Sequence, residues 1–192
     1  MFALVESGSI TQMPKGNKGI TLNNVQYPSQ IYTLWSEAER NAIGIYTVEI
    51  DNTNKKNEEW YINTNQTYTF SGGKVKATYG TATAKAIADK TVDGVVVEGL
   101  KTIKKRMIDN QCAGILTPSD WMVIRATETG ATLNSGWKTW RASVRTKCNS
   151  MQTQIDNASD VDALATLFTY TNTGTEENPV LERPLGEFPV KE

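Results

Sequence analysis

Between Ser135 and Ile155, the side chains of Trp137, Trp140, Val144, Cys148, Met151 and Ile155 recur at intervals of 3, 4, 4, 3 and 4 residues. An α-helix turns once in about 3.6 residues, so this spacing lays six apolar groups on one stripe of about five turns. A strand, with its period of 2, cannot present them together. Such a stripe must be covered, and the second half of the chain is therefore expected to be a helical bundle. Lys138 and Arg145 lie off the stripe, while Arg141 and Lys147 border it. Trp137 and Trp140 sit on it, and Trp121 falls in the first turn of a shorter preceding helix. All three rings are expected to be core, each removing roughly 150–250 Å² from water.

Other helical signals flank the stripe. LKTIKKRMIDNQCAGIL places Leu100, Ile103 and Met107 on one face. AKAIADK reads as an earlier helix start, and TVDGVVVEG as an interruption of it. In TPSD, Thr117 suits a cap, Pro118 the first helical position and Asp120 the third position of a capping box. That helix is expected to end at Gly130, and Ser159 or Asp160 to cap a last one bearing Leu164, Leu167 and Phe168. Beyond Tyr170 the tail TNTGTEENPVLERPLGEFPVKE carries three prolines and no periodicity. It reads as an extended arm whose deletion from Thr171 leaves folding intact.

The first eighty residues follow a different rule. FALV, Ile20–Leu22 and Ile45–Ile50 are short β-rich runs, Gly72-Gly73 suits a tight hairpin, and Ser36 caps a brief helix in which Glu37 and Glu39 favour the dipole. The chain is thus expected to be α+β. Residues 1–80 form a small antiparallel β-rich module and 81–170 a helical module, with a soft boundary at 80–95. Residues 171–192 form the extended arm.

The residue inventory narrows the chemistry. Histidine is absent, which removes the commonest general base near neutral pH and the commonest zinc ligand. Only Cys112 and Cys148 carry thiols, at helix-face positions and not in a CxxC, so both read as small apolar residues. Net charge is −1, which supplies no field for nucleic acid or an anionic membrane. MFALVESGSITQMPKG lacks a basic n-region and its apolar run stops at Val5, so no secretory signal is expected. Pro14-Lys15-Gly16-Asn17-Lys18-Gly19 lacks the phosphate-loop order, and GVVVEG lacks a dinucleotide fingerprint. The adjacent pairs Glu58-Glu59 and Glu176-Glu177 do not by themselves build a two-carboxylate cleft. Asn65-Gln66-Thr67 matches a glycosylation acceptor only formally. No catalytic, cofactor-binding or metal residue is expected.

The run LTPSDWMVIRATETGATLNSGWKTWRASVRTKCNSMQTQI resembles a C-terminal module of small bacteriophage tail proteins. Leu116, Pro118, Asp120, Trp121, Arg125, Glu128, Trp137, Trp140, Arg141, Val144 and Arg145 carry the likeness. Where that family has a proline before the second tryptophan, this chain has Asn134-Ser135-Gly136. NNVQYPSQIYTLWSEAERNAIGIYTVEI is similar to the family's companion N-terminal segment, and the two segments together cover about a third of the chain. The resemblance implies a non-enzymatic virion protein of the tail or baseplate. Such a protein acts as adaptor or fibre-linked connector, with tail, baseplate or fibre proteins as partners and homo-oligomerisation within a symmetric assembly. Neither nucleic acid, nor membrane, nor cofactor is expected. Two alternatives stay open: a fibre-assembly chaperone that leaves the particle, and a carbohydrate-binding receptor module with an exposed cluster of Trp35, Trp60 and Tyr61.

Overall fold

The computed structural model describes residues 1–191, which form two compact units, Met1–Thr83 and Ala84 onward. The fold class is α+β, with a β-rich first unit and a helical second one.

In the first unit, β1 (Phe2–Glu6) and β2 (Ser9–Gln12) form a hairpin, followed by the small hairpin of β3 (Ile20–Leu22) and β4 (Val25–Tyr27). The one-turn α1 (Ile31–Leu34) and α2 (Glu37–Ala42) lead into β5 (Ile45–Asp51). Ser36 caps α2 as expected, and Glu39 reaches back to the Ser36 amide to complete a capping box. The Ser36 hydroxyl and amide hold the Glu39 carboxyl below the ordinary carboxylate range. After β6 (Tyr61–Ile62), β7 (Gln66–Ser71) and β8 (Lys74–Tyr79) pair across Gly72-Gly73, both at positive φ as the tight turn requires.

The main sheet has the order β2-β1-β5-β8-β7, and its edge strands β2 and β7 approach each other, so the sheet curls toward closure. Alternation along β1 explains why FALV is apolar throughout. Ala3 and Val5 join Val48, Val75 and Ala77 on one face, while Leu4 joins Ile45, Leu22, Ile31 and Tyr32 on the other.

The sheet is mixed, contrary to the antiparallel expectation, because β5 and β8 run parallel, with Val48 opposite Val75 and Asp51 opposite Thr78. The polar segment after β5 is no hairpin turn. Asp51 accepts hydrogen bonds from the amide and hydroxyl of Thr53, and Asn63 exchanges two with the backbone of Lys56. These bonds fold the segment into a loop that carries the chain away from β5.

β9 (Thr83–Ala84) lies at the junction of the units. In the second unit, β10 (Lys90–Val92) and β11 (Val95–Val97) form an exposed hairpin turning at Asp93-Gly94. AKAIADK is not the helix expected from its composition. Its carbonyls are used to start α3 (Leu100–Leu116): Ala86 and Ile87 accept from the amides of Leu100 and Lys101, and the Asp89 carboxylate accepts from Gly99. A helix over Ala84–Lys90 would pair the Ala86 carbonyl with the Lys90 amide and withdraw it from Leu100. Gly99 sits so close to this segment that a Cβ would lie 2.3 Å from the Ala88 carbonyl carbon. Gly99→Ala is therefore expected to shift backbone and lower the melting temperature, while Gly114→Ala, with open space around it, leaves stability unchanged or raises it.

A 3₁₀ turn (Thr117–Ser119) joins α3 to α4 (Asp120–Thr129), which ends at left-handed Gly130. The capping box expected in TPSD does not form. The Thr117 hydroxyl donates to the Ala113 carbonyl and Asp120 is engaged elsewhere. α5 (Ser135–Asn157) is capped by Asn134, whose side-chain oxygen accepts from Gly136 and Trp137. Asp160 caps α6 (Val161–Phe168), accepting from Ala163.

α3 packs antiparallel on α5: Lys105 near the start of α3 pairs with Asp156 near the end of α5 at 2.8 Å. Ile108 is fully buried on α3 and Cys112 lies beside Cys148 of the α5 stripe, where Val144, Met151 and Ile155 are fully buried. Cys148 Sγ lies 3.6 Å from Asp109 Oδ1. Burial, and then the neighbouring Cys112 thiol, push the Cys148 thiol up to about 12. The fold therefore favours the neutral thiol. That contribution is complete below pH about 9 and is lost as pH rises through about 12. Iodoacetamide at pH 8.5 is expected to leave Cys148 unmodified in the native protein and to label it in urea.

The segment read as an extended arm returns to its own helices. β12 (Thr171–Asn172) and β13 (Leu181–Glu182) form a hairpin, after which Leu185 is completely buried. The Leu185 amide donates to the Leu167 carbonyl, and Lys147 Nζ donates to the Leu185 carbonyl at 2.9 Å.

Candidate functional site: an aromatic groove between two helices

Arg141 borders the α5 stripe in sequence, yet it is buried in the structure, at 5% exposure. Its guanidinium donates to the Leu116 carbonyl at 2.8 Å, to the Ser119 hydroxyl and to Asp120 Oδ1. Ser119 is itself 1% exposed. One planar fork thus ties together the end of α3, the 3₁₀ turn and the start of α4. The Pro-x-Asp and Trp-Arg elements of the motif meet at this joint.

α4 hangs from the joint, and none of its residues is buried. Trp121 is 54% exposed and Ile124 57% exposed. Beside them, Trp121, Met122, Arg125, Leu133 and Trp137 line a groove of about 450 Å³. Among the described residues that line it, Arg125 alone is charged, and its guanidinium makes no ion pair there. Trp137 is half-buried, stacked edge-on against Trp140 at 5.5 Å, with Lys191 Nζ 5.4 Å from its ring centre. Trp140 is half-buried too, and its indole N–H donates to the Pro189 carbonyl at 3.0 Å.

The expectation that all three rings form core is therefore corrected. Trp121 faces solvent, and Trp137 and Trp140 are only partly covered. α5 spans 23 residues and α3 only 17, so antiparallel packing leaves the first turns of α5 beyond the end of α3. The returning tail partly covers them. Trp121→Ala is expected to change unfolding free energy by less than about 1 kcal/mol, as an exposed substitution does. Iodide is expected to quench native Trp121 fluorescence freely.

The other flagged residues do not assemble a second site. Trp60 is buried, and Trp35 packs edge-on against Tyr27 at 5.8 Å while its carbonyl accepts from Arg40. Lys56 covers the ring of Tyr61. The exposed cluster of Trp35, Trp60 and Tyr61 needed by a carbohydrate platform is not formed. Glu58 pairs with Lys55 at 3.8 Å on the surface, and Glu176 and Glu177 are exposed on the C-terminal hairpin. The loop from Pro14 to Gly19 borders a cavity of about 520 Å³ with Tyr32, whose buried hydroxyl lacks a hydrogen-bond partner. Burial raises the pKa of that phenol. Among the described residues, no group of three or more Cys, Asp and Glu side chains is placed to hold a metal, and no helix is long and apolar enough to cross a membrane.

The groove was detectable from one feature of the sequence. Trp121, Met122, Val123 and Ile124 are consecutive, and at about 100° per residue four neighbours sweep about 300° of a helix. Some of them had to face outward. Comparisons of the chain with family models, with curated proteins and with solved structures return no match.

Proposed function

We propose that this chain is a structural protein of a bacteriophage tail or baseplate, acting as an adaptor or fibre-linked connector through protein–protein contacts and without catalysis. The observation that supports this most is α4, a helix with no buried residue that presents Trp121 and Ile124 beside the groove. Tryptophan and arginine are the side chains most enriched where protein interfaces concentrate their binding energy. Here both stand in a groove fixed by a buried arginine joint, so little ordering entropy opposes docking. The sequence resemblance to phage tail proteins supplies the setting.

Mass spectrometry of gradient-purified virions tests the reading. A fixed stoichiometry relative to the other tail proteins is expected. Presence in the infected-cell lysate but absence from the particle would instead identify an assembly chaperone.

A further inference from the structure

The groove has a complement on the same molecule. The hairpin of β12 and β13 carries Glu176, Glu177, Pro179, Val180 and Leu181 at its end, with Val180 49% and Leu181 64% exposed. Acidic and apolar groups stand side by side there, as a groove with two indoles and one guanidinium requires. The end of the hairpin is a built knob and not a loose tail. Asn172 Oδ1 accepts from the amides of Gly174 and Val180, and Thr173 and Thr175 donate to the carbonyls of Val180 and Asn178. Gly174 is pressed so close that a Cβ would lie 2.3 Å from the Asn178 oxygen. Since the knob's acids and aliphatic groups are exposed, it does not fill the groove of its own chain.

We propose that the knob of one copy docks in the groove of the next. Val180 and Leu181 cover Trp121 and Trp137, and Glu176 or Glu177 reaches Arg125. This inference rests on the reading of the chain as an assembly component and specifies one contact it makes. Knob and groove are different surfaces, so the contact is head-to-tail, and repeating it yields a closed ring or a filament. A pre-formed knob loses little freedom on docking, and the Arg125 guanidinium in the groove lining selects an acidic insert.

Sedimentation velocity of the full chain at low salt tests the contact. The parent is expected to associate with rising concentration, less so at high salt. Arg125→Glu, and separately the double reversal Glu176→Arg and Glu177→Arg, are each expected to weaken association by about tenfold or more. All of these residues are exposed, so circular dichroism of both variants should match the parent. Mixing the two variants is the decisive arm, because each supplies the surface the other has lost: the parental knob meets the parental groove, and the reversed charges meet one another. Mixed samples are expected to regain association. A parent that stays monomeric at every concentration, an assembly indifferent to both reversals, or a mixture that stays dissociated overturns the contact. So does a monomer whose tryptophan fluorescence titrates with a carboxylated sugar. The virion measurement above is independent of these outcomes, so the contact can fail while the tail assignment stands.

Discussion

Arg141→Ala is expected to destabilise the helical unit by about 3 kcal/mol and to release α4 from it. The substitution removes the fork that satisfies the Leu116 carbonyl, the buried Ser119 hydroxyl and Asp120 together. The Leu116 carbonyl keeps the Ser119 hydroxyl as a donor at 2.8 Å but loses its charged one. The buried Ser119 oxygen is left without a donor, and the space vacated by the side-chain stem adds to the loss. Asp120 is half-exposed and rehydrates, so its share is smaller. Asp120→Ala leaves the guanidinium buried among neutral acceptors and is expected to cost about 2 kcal/mol. Arg141→Lys does not rescue, because one ammonium cannot span three acceptors with the geometry of a planar fork. Urea midpoints give the energies, and hydrogen exchange locates the damage. The amides of α4 should lose protection before those of α5, since α4 has no buried side chain of its own. Equal loss of protection in both helices would show that the joint does not hold α4 separately.

The second large effect concerns the tail. Leu185→Ala is expected to cost about 3 kcal/mol, the ordinary range for deleting a fully enclosed leucine side chain. Truncation after Glu182 should cost more. It removes Leu185, the acceptor for Lys147 and the acceptor for the Trp140 indole in one step. Thermal unfolding followed by near-ultraviolet circular dichroism reads both, since Trp140 reports directly. A truncated chain with an unchanged melting temperature would return the tail to the status of a free arm.

Much of the fold was legible in local pattern. The stripe along α5 from Val144 to Ile155, the cap at Ser36 and the Gly72-Gly73 turn each depend on residues a few positions apart, and each formed as read. What escaped was non-local. The antiparallel expectation for β5 failed because strand direction is set by where the Asp51–Asn63 loop delivers the chain, not by the strand itself. AKAIADK failed because its carbonyls were claimed by Leu100 and Lys101, a choice made by a helix further along. Trp137 and Trp140 were misread because a stripe shows which face is apolar without showing how far the covering helix extends. Arg141 looked like a border residue for the same reason, since its three acceptors lie more than twenty positions upstream. The tail was misread because proline-rich composition hides a single leucine, Leu185, that is fully buried. The groove follows from these errors jointly: it exists where the helices stop covering one another.

The parallel pairing of β5 with β8 has a consequence for biosynthesis. A nascent chain that has emerged only as far as Ser71 holds β5 with one edge zipped to β1 and the other bare, beside the exposed Ile50. Bare edges recruit foreign strands. The interval of greatest exposure to chaperones and to aggregation therefore ends only when Tyr79 clears the ribosomal tunnel. Synonymous codons that slow translation just before that point should depress soluble yield more than the same codons placed after it.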